Sequence, residues 1–238
     1  MEMALLRVGI DSGCGQMQGP LFLDGSFEYV PIPDSDYKID SRTYESLTGR
    51  HGRSLVEYFP LRRQARMKDM AVHVDPEFTT FTYGDPSKLK SRLQRLGKGD
   101  MLVFYCGLEG WGFVRGPALY LMGYFEVQAA GQATDFGPNK LLNLFGENFH
   151  VRHPAVYQKE RDRLVLVKGS SNSRLLKKAE LISVIGTDCA GKPLKVMSPD
   201  KQRIFGKFGG KNSLQRSYLR LVDPAYVEQA AEFVRSLE

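Results

Sequence analysis

Apolar and polar residues alternate in two rhythms along the chain, and the two rhythms mark different elements. ALLRVGI (4–10), which ends at Ile10 just before Asp11, reads as a short buried first strand. MLVFYC (101–106), ALYLMGYFEVQAA (118–130) and LVLVKG (164–169) are near-continuous apolar runs of strand length, as expected for strands covered on both faces. VHVDPEFTTFTY (72–83) is rich in β-branched and aromatic residues, with Pro76 marking a break. In FLDGSFEYVPIP (22–33), Asp24-Gly25 between apolar runs predicts a hairpin turn.

The helical rhythm is clearest in PSKLKSRLQRLGKGD. Asp85 stands as cap, Pro86 at the first turn and Gly97 at the end, while Leu89, Leu93 and Leu96 share one face. DPAYVEQAAEFVRSL predicts an amphipathic helix capped by Asp223. Residues 138–148 read as a short helix, and SRLLKKAELISVIG as a helical turn running into a strand at 181–185. Residues 34–53 follow neither period and read as loop with room for one helical turn. Long strands with few helices between them predict an α+β, β-rich fold rather than a doubly wound parallel sheet. No repeat or linker divides the chain, so residues 1–238 are expected to form a single domain.

Composition adds limits. At 42% hydrophobic and 25% charged over 238 residues, the chain is an ordinary globular sequence long enough to bury a core. No apolar run reaches a membrane span, and the N-terminus lacks the basic start and long apolar core of a signal peptide. Cys14, Cys106 and Cys189 are too few and too widely spaced for a disulfide framework or zinc knuckle. A reduced, cytoplasmic protein is the expectation.

Charge is unevenly distributed. Residues 140–220 carry 17 Lys and Arg against 6 Asp and Glu, whereas the remainder carries 16 against 21. Such asymmetry creates a positive field that attracts polyanions, although a solvated basic face has the same composition.

The common catalytic signatures (phosphate-binding Gly-Lys-Ser/Thr loop, GxGxxG, GxSxG, HExxH) are absent. Gly13-Cys14-Gly15 follows a strand, but the next residues do not open a helix, so the dipole of a phosphate cradle is missing. Cys14 is a nucleophile candidate or a small residue in a glycine loop. His73 and Asp75 fall on one face of an extended segment, which suits an acid/base pair, a metal cluster or a hydrogen-bonded strand-end histidine. Only two ligands are local, so no metal site is read from them. Asn148, His150 and Arg152 recur at alternating positions, and Asn and Arg are types that read base edges or grip phosphates. Lys168, Arg174, Gln215 and Arg216 lie near Gly- and Ser-rich basic loops suited to a nucleic-acid backbone. Tyr105 and Trp111, at the mouth of a strand, are candidate stacking platforms or core plugs.

KGDMLVFYCGLEGWG followed by LYLMGYFEV resembles the strand pair of PUA-like domains of the EVE and ASCH branches, which implies a small barrel core with surrounding helices. Over nearly the whole chain, VGIDSGCGQMQGPLFLDGSFEYVPIPD, HVDPEFTTFTYGD, GDMLVFYCGL, LVLVKGSSNSRLLKKAELIS and SLQRS resemble the third type of nucleotide modification associated domain. That family is associated, in bacteria and phages, with hypermodification of DNA bases. The resemblance implies a nucleic-acid or nucleotide partner and leaves the cofactor unknown. It marks Asp11, Ser12, Gln16, Asp24, His73, Asp75, Tyr83, Tyr105, Asn148, His150, Arg174, Gln215 and Arg216 as the polar set of interest. The resulting expectation is a pocket for a modified or extruded base, or a nucleotide, bordered by Tyr105, Trp111, Asp11 and His73. Phosphates would be held by the cations of residues 140–220. Asp11, His73 and Asp75 are the acid/base candidates if the protein is an enzyme, and a non-catalytic scaffold is the other alternative.

Overall fold

The computed structural model describes residues 1–214 and 218–237. Strands β1 (Met3–Arg7), β2 (Gly19–Leu21) and β3 (Ile32–Pro33) come first, then helix α1 (Leu61–Met67) and strands β4 (Val72–His73) and β5 (Thr82–Asp85). A central pair, β6 (Met101–Gly110) and β7 (Ala118–Gln132), precedes three short helices, α2 (Pro138–Phe145), α3 (Phe149–Arg152) and α4 (Pro154–Glu160). Strands β8 (Val165–Gly169), β9 (Arg174–Leu181), β10 (Ser183–Thr187) and β11 (Pro193–Met197) follow. Helix α5 (Pro199–Phe205), strand β12 (Arg220–Leu221) and helix α6 (Val227–Ser236) come last.

Eight strands share one sheet along the path β12-β1-β6-β7-β8-β5, with β2 beside β6 and β9 beside β7. β1 and β2 run parallel to successive stretches of β6, and the other pairings are antiparallel. β7 is long enough to hold β9 along its first half and β8 along its second. Eight consecutive residues of β6, Met101 to Leu108, are buried, so this strand is covered on both faces as its apolar run implies.

Register shifts at Phe104/Tyr105, Leu121/Gly123 and Val127/Ala129 bend this central pair. The sheet therefore curls over its own core. Tyr83 of β5 packs 5.8 Å from Phe104 of β6, three places away in strand order, and Phe78 meets both Phe104 and Phe125. The α+β class read from the sequence is what the fold shows. The barrel closure expected from the PUA-like resemblance does not form among the described residues. The end of β1 and strand β5 face each other across a polar cavity instead of hydrogen-bonding.

Two local expectations differ for physical reasons. Residues 88–95 form 3-10 turns capped at Ser87, not an α-helix. Three residues per turn align Lys90, Leu93 and Leu96 on one side. Leu93 and Leu96 are accordingly buried, Leu89 is exposed, and Lys90 turns inward to the Asp85 carboxylate at 2.8 Å. Residues 174–181 are strand throughout, because the open edge of β7 supplies hydrogen-bond partners that outweigh local helical preference.

Residues 34–60, read as loop up to residue 53, carry a short 3-10 turn at Leu55–Tyr58 and contribute to a second apolar cluster of Ile10, Val30, Tyr44, Phe59, Met67 and Val72. A third, with Phe136, Phe145 and Leu166, seats α2 to α4 against β8. These two clusters hold the segments that flank the cavity. No helix of the described residues is long and apolar enough to cross a membrane.

Candidate functional site

A cavity of about 250 Å³ opens where the end of β1, the β3 segment, β4, β5, α3 and α4 converge. His73 ends β4, and its ring stacks on Phe149 with centroids 3.9 Å apart. Asp75 follows two residues later, nearly buried, and accepts the Gly84 amide of β5 at 2.9 Å. Asn148 caps α3, accepting the His150 amide at 3.1 Å, while its side-chain amide donates to Asp75 Oδ1 at 3.5 Å. Helix α3 lasts one turn before Pro154 starts α4. It is this N-cap, not strand alternation across 148–152, that brings Asn148 and His150 to one place.

His150 is the pivot. Its Nδ1 lies 2.6 Å from Glu160 Oε2 and its Nε2 3.4 Å from Asp75 Oδ2. Burial alone would lower its pKa, but the hydrogen bonds to Asp75 and Glu160 outweigh that and raise it to about 9. Burial would raise the pKa of Glu160, and His150 instead holds it low. Tyr37 donates to the other Glu160 oxygen at 2.7 Å, and burial plus that bond push its hydroxyl up to about 12. His73 Nε2 is 3.9 Å from Asp75 Oδ2. One donor atom each from His73, Asp75 and His150 lie within 4.8 Å of one another, an arrangement that can accept a cation.

The remaining wall is also acidic. Asp34, Asp36, Asp75, Asp85 and Glu160 line the cavity with Arg7 and Lys90. Asp85 is engaged by Tyr83 and Lys90, both at 2.8 Å, and Lys90 holds its carboxyl below the usual range despite burial. A second hollow, of about 460 Å³, shares Ile32, Pro33 and Ser35 with the first. Its walls contain Arg63 and Arg66 of α1 and the Gly13–Gln16 loop, with no carboxylate among its described lining residues. Two adjoining hollows thus carry opposite charge.

Other candidates fall elsewhere. Asp11 sits behind the wall, paired with Arg7 at 3.2 Å and accepting the Gly13 and Cys14 amides and the Cys14 thiol. Tyr105 is wholly buried in β6, and Trp111 is edge-on to Tyr58 at 5.3 Å; neither lines either hollow. Arg152 points to Asp40 at 4.0 Å, Lys168 donates to the Thr80 carbonyl, and Arg174 lies over the Tyr124 ring. No Lys or Arg of the described part of residues 140–220 lines either hollow; the arginines lining the second hollow are Arg63 and Arg66. Gln215 and Arg216 lie outside the described residues.

The sequence model of nucleotide modification associated domain 3 matches residues 2–215, a span that includes every residue lining the two hollows. The chain belongs to that family. No curated protein and no solved structure matches it. Membership in the nucleotide modification associated domain 3 family connects the chain with nucleotide modification and with nucleotides or nucleic acid as partners.

Sequence reasoning missed Glu160, Gly84, Tyr37, Arg63 and Arg66. Glu160 had a signal: it falls four residues after Val156, so a carboxylate interrupts the apolar stripe of α4, where both residues are buried. Gly84 had none, since its role comes from the close approach of His150 and Asn148.

Proposed function

We propose that the protein is an enzyme that modifies a nucleotide or an extruded nucleic-acid base, with its reaction centre at His73, Asp75 and His150. The observation that carries this reading is the pair of adjoining hollows of opposite charge in a chain of this family. A nucleotide is itself divided in this way. Its base, with exocyclic donors and ring nitrogens, suits the carboxylate- and imidazole-lined cavity, and its phosphate suits the arginine-lined hollow. The volumes, about 250 and 460 Å³, together fall in the range of ~300–1,000 Å³ typical of small-molecule sites. Arg63 is held in place by donating to the Gln16 carbonyl at 3.1 Å, which leaves the rest of its guanidinium fork to meet an anion.

Titration calorimetry with 2′-deoxynucleoside 5′-monophosphates and the matching nucleosides tests the binding part. Arg63→Ala and Arg66→Ala each weaken monophosphate binding about tenfold or more, as loss of a charge-assisted hydrogen bond implies, and leave nucleoside binding unchanged. Equal affinity for nucleotides and nucleosides would overturn the assignment of the phosphate end. The catalytic part is read by mass spectrometry of nucleosides, digested from modified DNA incubated with the protein. A mass change that disappears with His73→Ala is expected. Nucleotide binding with no mass change in any substrate tried would make the protein a binding module instead.

A further inference from the structure

We infer that His73, Asp75 and His150 form a binding site for one divalent first-row transition metal ion, with Glu160 fixing the orientation of His150. This deepens the reading of the same cavity but stands on a separate observation: the donor atoms and what holds them.

Two imidazoles and one carboxylate meeting from one side leave further coordination positions open. That ligand set is shared by catalytic zinc and by non-haem iron(II), and it also suits manganese and cobalt. A four-coordinate ion with bonds near 2.1 Å separates its ligand atoms by about 3.4 Å. His150 Nε2 and Asp75 Oδ2 are 3.4 Å apart. His73 Nε2 stands 3.9 Å from the same oxygen, and the three donor atoms lie within 4.8 Å of one another, so His73, the most exposed of the three, closes the shell by sliding about 1 Å in the plane of its stack on Phe149.

The outer surroundings are those of a metal site. A metal-bound histidine usually donates its other ring N–H to a carboxylate, which fixes the tautomer and aims the remaining lone pair. His150 does this through Nδ1 to Glu160 at 2.6 Å, and Glu160 is fixed in turn by the Tyr37 hydroxyl at 2.7 Å. Asp75 is anchored by the Gly84 amide and the Asn148 side chain. His73 is pinned flat against Phe149. Each ligand is thus held by a neighbour that is not itself a member of the proposed coordination shell.

The cavity's charge agrees. Lys90 offsets Asp85, but the carboxylates of Asp34, Asp36, Asp75 and Glu160 still outnumber the remaining Lys or Arg of the wall, Arg7, which favours entry of a dication, and open positions facing the cavity leave room for water or substrate. When bound, the ion would sit between His150 Nε2 and Asp75 Oδ2, which are 3.4 Å apart. In the enzyme proposed above, it would polarise an oxygen or nitrogen of the substrate base or activate a water molecule.

The test is metal uptake by the chelator-stripped full chain. It is dialysed against Zn²⁺, Mn²⁺, Co²⁺ or, without oxygen, Fe²⁺, and bound metal is measured by mass spectrometry. One equivalent is expected for at least one of these ions, and Co²⁺ should show visible d–d absorption with imidazole ligation. His73→Ala and Asp75→Asn lower affinity at least tenfold. Glu160→Gln lowers it about 10–100-fold, the range for loss of an outer carboxylate partner. His51→Ala, remote from the cluster and paired with Glu28, leaves it unchanged. Circular dichroism reports whether each variant folds, and Co²⁺ absorption of the unaltered chain supplies a readout independent of any variant. Uptake well below one equivalent for all four ions would overturn the proposal. So would uptake that His73→Ala leaves intact, or that Cys14→Ser abolishes. Metal uptake is measured without nucleotide, so a failure here leaves the nucleotide titration standing, and failure of that titration leaves the metal centre standing.

Discussion

Gly84→Ala is the sharpest probe of how tightly the cavity is built. A methyl group at this position would stand 2.8 Å from His150 Cδ2, 2.9 Å from Asn148 Oδ1 and 3.2 Å from Leu166 Cδ2. Ordinary carbon–carbon contact begins near ~3.5 Å, so His150 must retreat by roughly 0.7 Å. The strand cannot move instead, because the Gly84 amide is bonded to Asp75 and β5 is paired with β8 through Leu166. Gly84 is not among the positive-φ residues, so backbone strain plays no part. Such overpacking costs about 1–3 kcal/mol, against a gain of about 0.4–1 kcal/mol from the stiffer unfolded chain. The net is destabilising by about 1.3 kcal/mol at the centre of a range from about 0 to 2.6, a fall of about 3–5 °C in Tm at that centre for a chain of this size. The same displacement stretches the 3.4 Å His150–Asp75 contact beyond hydrogen-bond range, so ligand and metal affinity fall with stability. Gly116→Ala, where an added Cβ meets nothing within 4 Å, is the control and is neutral or slightly stabilising. Thermal melts and metal titrations of both variants decide the matter. If Gly84→Ala matches the parent chain in both, His150 is not held against β5 as described.

Two further outcomes rest on packing and charge. Asp40 is buried, and although burial alone would raise its pKa, Arg42 and His153 hold it at about 2, below the unfolded value of 3.8. Its contribution is therefore full above about pH 5, at most about 2 kcal/mol, and is lost as pH falls through about 2. Urea unfolding at pH 6 and pH 3 should show the parent chain losing about 1 kcal/mol that Asp40→Asn does not lose, and parallel losses would refute the pairing. Phe104→Ala removes a wholly buried ring surrounded by Phe78, Tyr83 and Phe125, and should cost about 3–5 kcal/mol by denaturant titration. A loss below about 1 kcal/mol would mean that the curled sheet does not close over this cluster.

The fold was legible where local pattern and tertiary need coincide. The buried runs 101–106, 118–130 and 164–169 appear as β6, β7 and β8, and the Asp223 cap and amphipathic face at the C-terminal end appear as a 3-10 turn leading into α6. Legibility failed where a neighbour changed the rules. Lys90 is drawn inward by Asp85, and residues 174–178 are captured by the edge of β7. At the site, His73 and Asp75 were readable as a pair because they are two residues apart. His150 was noticed for its own chemistry, but its partnership with Asp75 joins distant segments of the chain and could not be read from spacing.

The sequence by itself determined the residue chemistry and the strong strands: an α+β chain carrying histidines, carboxylates and arginines. Tertiary structure alone decided which of them meet. Curling of the bulged sheet brings the end of β1 opposite β5, and the one-turn helix α3 drops His150 between Asp75 and Glu160. The same folding brings His150 and Glu160 of the cation-rich 140–220 segment into the cavity wall, leaves the described lysines and arginines of that segment off both linings, and puts Arg63 and Arg66 in the adjoining hollow. The physical reason is range: hydrophobic periodicity acts within one element, whereas a site is a convergence of elements set by how the whole core packs.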